Sequence, residues 1–253
     1  MEFFDSHSHY NDEKFDVDRN NIIKENYKKG ITSLICAGYS ILSSKQALEL
    51  STEFEYIYST CGISPNDINE DVDNQIVEIE KIAKNTKVVA IGEIGLDYYW
   101  NKENKQKQKE IFIQQIEIAN KLDLPIVIHT RDAVMDTLEI LKQNTVQKKG
   151  VFHCCPLNIE LVKEALKLGF YISFSGNITF KNAKPEEIIK LVPLEKILIE
   201  TDCPYLTPEP NRGKRNDSSN LIYIAQKIAN IKEMKIEEIA KITYENTKKI
   251  FNL

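Results

Sequence analysis

A disulfide framework, a membrane span and a positive net charge are all missing from this chain, and each absence closes off a class of function. The five cysteines, Cys36, Cys61, Cys154, Cys155 and Cys203, are odd in number and form no Cys-x-x-Cys pair. That excludes a disulfide-stapled scaffold or a zinc ribbon and leaves reduced thiols. No run approaches the roughly 18 to 20 apolar residues that cross a bilayer, so no membrane association is expected. The opening Met1-Glu2-Phe3-Phe4-Asp5 lacks the basic start and apolar stretch of a signal peptide, and a cytoplasmic protein is expected. With 33 basic against 38 acidic side chains the net charge is −5, so no global field draws in nucleic acid. A polyanionic substrate must then be held by local groups or by metal. Tryptophan occurs once, at Trp100, and histidine only at His7, His9, His129 and His153.

Apolar, β-branched runs are plentiful, with amphipathic stretches between them. Eight stand out: Phe3 to Asp5, Ser33 to Ala37, Tyr56 to Cys61, Val88 to Glu93, Ile126 to His129, Val151 to His153, Tyr171 to Phe174 and Ile197 to Thr201. Several are apolar at consecutive positions, as parallel strands buried on both faces are. Residues 16–29, 43–53, 72–85, 104–121, 133–144, 158–168, 184–192 and 218–231 read as helices, with apolar residues at three- and four-residue spacing among charges. Ile111, Ile113, Ile116, Ile118, Ala119 and Leu122 form one such stripe. Gly30 and Gly169 stand where a left-handed helix C-cap is wanted, and Pro125 opens a strand. Eight strands alternating with eight helices predict an α/β fold, a (β/α)8 TIM barrel, with an additional C-terminal helix at about 235–249. No linker or repeat divides residues 1–253, so a single barrel domain is expected.

Such a barrel gathers its chemistry at the carboxyl ends of the strands. Those ends carry His7 and His9 on the first strand, Glu93 on the fourth, His129 on the fifth, His153 on the sixth and Asp202 on the eighth. Side chains two apart on a strand share a face, so His7 and His9 can chelate one ion. Each residue alone has a plain structural alternative: a surface histidine pair, a core histidine bonded to backbone, a helix-capping glutamate. Together, four imidazoles and two carboxylates can hold two divalent ions with one carboxylate between them, and leave positions for water and substrate.

The chain resembles the TatD-type metal-dependent deoxyribonucleases of the amidohydrolase superfamily over essentially its whole length. The resemblance is carried by Asp5-Ser6-His7-Ser8-His9, Ile91-Gly92-Glu93-Ile94-Gly95-Leu96-Asp97-Tyr98, Pro125-Ile126-Val127-Ile128-His129-Thr130-Arg131-Asp132-Ala133, Phe152-His153-Cys154, Glu200-Thr201-Asp202-Cys203-Pro204-Tyr205-Leu206 and Pro210-Asn211-Arg212-Gly213-Lys214-Arg215-Asn216. It implies a first ion on His7, His9 and Asp202, a second on His129 and His153, and Glu93 bridging. It also implies phosphodiester hydrolysis, often from the 3′ end of single-stranded DNA. Mixed imidazole and carboxylate ligands make Zn, Mn, Fe or Ni the candidate metals, with Mg suited less well. Asp202, able to bind metal and accept the proton of the attacking water, is the general-base candidate beside Glu93. A monomer acting on DNA as a transient substrate is expected.

Around this set, Arg212, Lys214 and Arg215 in the loop after the eighth strand, and Arg131 two residues after His129, are candidate phosphate contacts. The alternatives are a solvated basic loop and a salt bridge of Arg131 to Asp132 or Glu93. Lys181 is a weaker candidate of the same kind. Tyr98, with Tyr99 and Trp100, is a candidate for stacking on bases, against plain packing of a long loop.

Three positions depart from the family pattern. Ser64 in Gly62-Ile63-Ser64-Pro65-Asn66 stands where a substrate-facing imidazole is usual; it can donate a hydrogen bond but not titrate near neutral pH. Cys155-Pro156-Leu157 replaces an aromatic-small-glycine turn, and Asp217-Ser218 replaces Glu-Pro. Two rivals remain open: an amidohydrolase-type esterase, lactonase or amidase on a small substrate, and a non-catalytic barrel that binds nucleic acid or protein.

Overall fold

The structure is a computed structural model that describes residues 1–100 and 102–253. Its parallel strands stand in sequence order, each hydrogen-bonded to the next: β1 Phe3–Ser8, β2 Ile31–Cys36, β3 Ile57–Cys61, β4 Val88–Asp97, β5 Ile126–Arg131, β6 Gly150–Phe152, β7 Tyr171–Phe174 and β8 Ile197–Ile199. Between them lie α1 Arg19–Lys28, α2 Ile41–Glu53, α3 Val72–Ile82, α4 Lys105–Leu122, α5 Val134–Gln143, α6 Ile159–Lys167 and α7 Glu186–Leu191, with α8 Leu221–Lys232 and α9 Ile236–Phe251 at the end. The seam between β8 and β1 is bridged at the carboxyl ends of the two strands and just beyond them. Asp202 N–H donates to the His7 carbonyl at 3.0 Å, His9 N–H to the Cys203 carbonyl at 2.7 Å, and the Ser6 hydroxyl to the Ile199 carbonyl at 2.9 Å. The alternation read in the sequence is thus a (β/α)8 barrel with an added C-terminal helix.

Phe4, Ile35, Val89, Val127, Val151, Tyr171 and Leu198, each from a different strand, pack in one cluster with Ile250 and Phe251 of α9. Phe4, Val89, Val127 and Tyr171 sit at the amino ends of their strands, so the last turn of α9 closes the bottom of the barrel. Outside the sheet, α4 shows how the helices cover it. Ile111, Phe112, Gln115, Ile116, Ile118 and Ala119 are buried, whereas Ile113 of the predicted stripe is only half-buried. Gln115 is tolerated inside because its amide exchanges two hydrogen bonds with the Ile63 backbone, at 2.7 and 3.0 Å.

From that apolar layer, strand alternation carries side chains toward the mouth. Two residues beyond Val127 comes His129, beyond Val151 comes His153, and beyond Leu198 comes Glu200. On β1 and β4 the alternation is reset. Asp5 to Ser8 runs opposite Leu34 to Cys36, and Ile91 to Ile94 opposite Ile126 to Ile128, one extra residue each time. Such a bulge re-aims the side chains that follow it. Past its bulge β4 continues to Asp97, four residues beyond the predicted end at Glu93. It can lie against β5 there because Gly95 has φ +139 and no side chain; a Cβ would come within 2.0 Å of the His129 carbonyl oxygen.

Candidate metal centre

The four histidines and two acids named from the sequence converge at the carboxyl end of the barrel. His7 Nε2 and His9 Nε2 lie 3.1 Å apart, and His129 Nδ1 and His153 Nε2 lie 3.2 Å apart. Glu93 stands between the two pairs. Its Oε1 is 2.8 Å from His129 Nδ1 and 3.1 Å from His153 Nε2, while its Oε2 is 3.7 Å from His7 Nε2 and 3.9 Å from His9 Nε2. Asp202 joins the first pair only, with Oδ1 at 3.2 Å from His9 Nε2 and 3.7 Å from His7 Nε2.

Outer partners orient these rings. His9 Nδ1 faces the Ala37 carbonyl at 3.2 Å, and His129 Nε2 faces Asp97 Oδ2 at 3.1 Å. A ring that donates outward keeps the lone pair of its other nitrogen toward the centre. His153 Nδ1 lies 3.5 Å from Glu200 Oε1, which also accepts the Cys154 N–H. Asp97 and Glu200 were not among the site residues read from the sequence. The signal for Asp97 was its even spacing from Glu93, four residues on, hidden by ending the strand at Glu93. For Glu200 it was the two-residue step from an apolar strand position.

Charge balance follows from burial and neighbours. Burial opposes the Glu93 charge, but His153 and His129 beside it hold its carboxyl well below the usual range. Burial likewise opposes charge on His153, yet Glu93 and Glu200 push it well above the ordinary imidazole value. His9 is raised against burial by Asp202 and Glu93, and His129 by Asp97 and Glu93. His7 goes the other way, driven well down by burial and by His153 and His9. Asp97, despite its burial, is held down to about 2 by His129, the Trp100 N–H and Asn66.

The donor set fits divalent metal. His7, His9 and Glu93, and Glu93, His129 and His153, each offer atoms within 4.8 Å of one another. A third set, His7, His153 and Glu200, overlaps them. The nitrogens that converge, Nε2 of His7, His9 and His153 and Nδ1 of His129, each have a Glu93 or Asp202 carboxylate oxygen within 3.7 Å, the mixed donor set that a divalent ion takes. Mixed imidazole and carboxylate ligands suit Zn, Mn, Fe or Ni better than Mg.

The centre opens into a cavity of about 770 Å³ whose walls include Ser64, Asp67, Trp100, Arg131, Pro156 and Tyr205. Arg131 is exposed at its rim, its guanidinium 3.8 Å from the Tyr99 ring centroid and 5.6 Å from that of Trp100. The basic loop after β8 is directed elsewhere. Arg215 is paired with Asp18 at 2.8 and 2.6 Å and bonded to the Lys14 carbonyl at 2.6 Å, fastening its loop to the one after β1. Arg212 donates to the Thr207 carbonyl at 3.0 Å and stacks on Phe180 at 3.9 Å. Neither of them, nor Lys214 or Lys181, lines the cavity. Tyr98 departs from the stacking expectation: it is buried, with its hydroxyl donating to Asp136 at 2.6 Å, and exposure falls to Tyr99 and Trp100. Ser64 faces the cavity and donates to Asp67 at 2.6 Å. Of the other departures, Pro156 shapes the wall beside buried Cys155, and Asp217 caps the turn Ser218–Asn220 by accepting the Ser219 N–H at 2.8 Å.

Comparison with known proteins agrees with this geometry. A family model described as TatD related DNase matches residues 4–252. The chain is 42% identical to the uncharacterized metal-dependent hydrolase YabD of Bacillus subtilis, over 99% of each chain. It is 35% identical to the uncharacterized metal-dependent hydrolase YcfH of Escherichia coli K12, over all of this chain and 97% of that one. Among solved structures, YjjV, a TatD homologue from Escherichia coli K12, superposes with a TM-score of 0.94 at 24% identity, over 99% of this chain and 98% of its own, a likeness of fold. On these matches the chain belongs to the TatD related DNase family of metal-dependent hydrolases.

Proposed function

We propose that this protein hydrolyses phosphodiester bonds of DNA with two divalent ions, working from the 3′ end of single strands. One observation carries the reading: the two carboxylate oxygens of Glu93 are divided between two histidine pairs. His7, His9, Asp202 and Glu93 would hold one ion, and His129, His153 and Glu93 the other, drawn from Zn, Mn, Mg, Fe or Ni. When bound, such ions supply Lewis acidity to the phosphoryl oxygens and make water more acidic.

The chain's own groups do the rest. Asp202, which lines the cavity beside the His7 and His9 pair, takes the proton of the attacking water. Arg131, the only lysine or arginine of the lining among the described residues, grips phosphate, and its stacking on Tyr99 pre-orders the guanidinium. Trp100 offers an exposed face to a base. The cavity's volume, about 770 Å³, lies within the roughly 300–1,000 Å³ of small-ligand sites and supports capture of a strand end. A single lining cation likewise supports few phosphate contacts. Free cysteines support action in the cytoplasm, and we take the working unit as a monomer.

The test is an assay on 3′- and 5′-labelled single-stranded DNA and RNA with each metal, run beside Asp202→Asn. Shortening from the 3′ end that Asp202→Asn abolishes is expected. Undiminished cleavage by that variant would overturn the mechanism. The scarcity of lining cations favours one second reading, a small ester, lactone or amide as substrate; activity on a lactone with none on nucleic acid would establish it.

A further inference from the structure

The cavity holds one acid that the metal centre does not use. Four carboxylates line it: Asp67, Glu93, Asp97 and Asp202. Glu93 and Asp202 face the histidine pairs, and Asp97 is committed to His129, Asn66 and the N–H groups of Tyr99 and Trp100. Asp67 has no imidazole or cation partner among the described residues. Among the described residues its side chain meets only the Ser64 hydroxyl, at 2.6 Å.

The backbone around it is well fixed. Ser64-Pro65-Asn66-Asp67 forms a turn, Asp67 N–H donating to the Ser64 carbonyl at 3.0 Å with Pro65 at the position that favours it. Ser64 N–H is tied to the Tyr39 carbonyl at 2.8 Å, and the Asn66 amide to Asp97 at 3.2 Å. Through Asp97 the turn is therefore anchored to the carboxylate that orients His129. Gln75 holds the Asp67 carbonyl at 3.3 Å. A side chain set this way keeps its place relative to the reacting centre, which a proton donor requires.

Its surroundings favour the protonated acid. The charged and titratable groups that face Asp67 are Glu93 of β4 and Tyr39 after β2, neither of them a cation. Burial raises the Asp67 carboxyl above the ordinary aspartate value against the pull of the Ser64 hydroxyl, and it acts with or without metal, whereas the Glu93 charge is offset once ions are bound.

We propose that Asp67 is the general acid of this site, donating its proton to the leaving-group oxygen. The inference rests on the phosphodiesterase reading above. As the water oxygen bonds to phosphorus, the water proton goes to Asp202. The bond from phosphorus to the leaving oxygen breaks with its electron pair on that oxygen, which takes the proton of Asp67. Asp67 is left as carboxylate, hydrogen-bonded by Ser64, and both acids exchange protons with solvent before the next turnover.

A general acid matters in proportion to how poor the leaving group is, and that separates the proposal from a structural role. The experiment compares kcat/KM of metal-loaded wild type and Asp67→Asn on a thymidine dinucleotide, whose leaving group is an alkoxide, and on thymidine 5′-(p-nitrophenyl phosphate), whose leaving group needs no proton. A loss of about 10²–10⁴ on the dinucleotide, with less than about tenfold on the nitrophenyl ester, is expected. Equal losses on both in a folded variant, or no loss on either, overturn the proposal. Should Asp67→Asn fail to fold, Ser64→Ala decides. It removes the bond that favours the carboxylate, so the alkaline limb of kcat/KM should move up, and an unmoved or lowered limb overturns the proposal. Wild type inert on both esters would instead overturn the phosphodiesterase reading itself.

Discussion

Metal loading should release protons, and the site's geometry says how many. In the metal-free chain His9, His129 and His153 are each pushed above the ordinary imidazole value of 6.5 by neighbouring carboxylates, whereas His7 is pushed below it. Below the folded values of those three rings the cluster therefore carries up to three protons on nitrogens that a metal needs bare. The overall binding constant should rise over that range by up to about three powers of ten per pH unit, or about 4 kcal/mol per unit, and flatten above it.

Stability runs in the opposite sense without metal. The raised histidines contribute stability that is complete below 6.5 and lost as pH climbs through their folded values. Glu93, lowered from 4.5, contributes stability present above that value and lost as pH falls through its folded one. The metal-free protein is thus best held between the two, and the Tm gap between loaded and chelated protein should widen from about pH 6 to about pH 8. Calorimetric titration with Zn or Mn in two buffers of different ionisation heat counts the protons directly. A count near zero, or an affinity flat across that range, would refute the reasoning.

Further outcomes follow from single side chains. Asp97→Asn should weaken metal binding about 10–100-fold by releasing the His129 ring, measured with a chelating competitor. Arg131→Ala should raise KM for single-stranded DNA and lower the salt slope by about one, whereas Arg215→Ala, paired with Asp18 outside the cavity, should leave both unchanged in assays at two salt concentrations. Phe251→Ala should cost about 3–5 kcal/mol in urea unfolding, because its buried ring packs into the bottom of the barrel.

The architecture was legible because parallel strands covered on both faces leave continuous apolar runs, and eight of them alternating with amphipathic stretches admit few folds. His129 and His153 were legible for the same reason, each two steps beyond a valine of the barrel interior. The reach of β4 was not. Ile94-Gly95-Leu96-Asp97 follows a bulge, and a one-residue reset leaves no mark in an apolar run, so the predicted strand stops at Glu93, short of Asp97. The basic loop after β8 misled for a different reason. Sequence shows that Arg215 is charged and near the mouth, but its partner Asp18 lies 197 residues away and only folding brings them together. Tyr98 differs from Tyr99 and Trp100 by a rotation about the chain that depends on Asp136 of α5.

The claim on which the function rests is that Glu93 joins two metal sites. Crystals grown with Mn²⁺ and measured for anomalous scattering test it directly. Two peaks are expected, one against His7, His9 and Asp202 and one against His129 and His153, with Glu93 ligating both. A single peak, or two that Glu93 does not share, would contradict it.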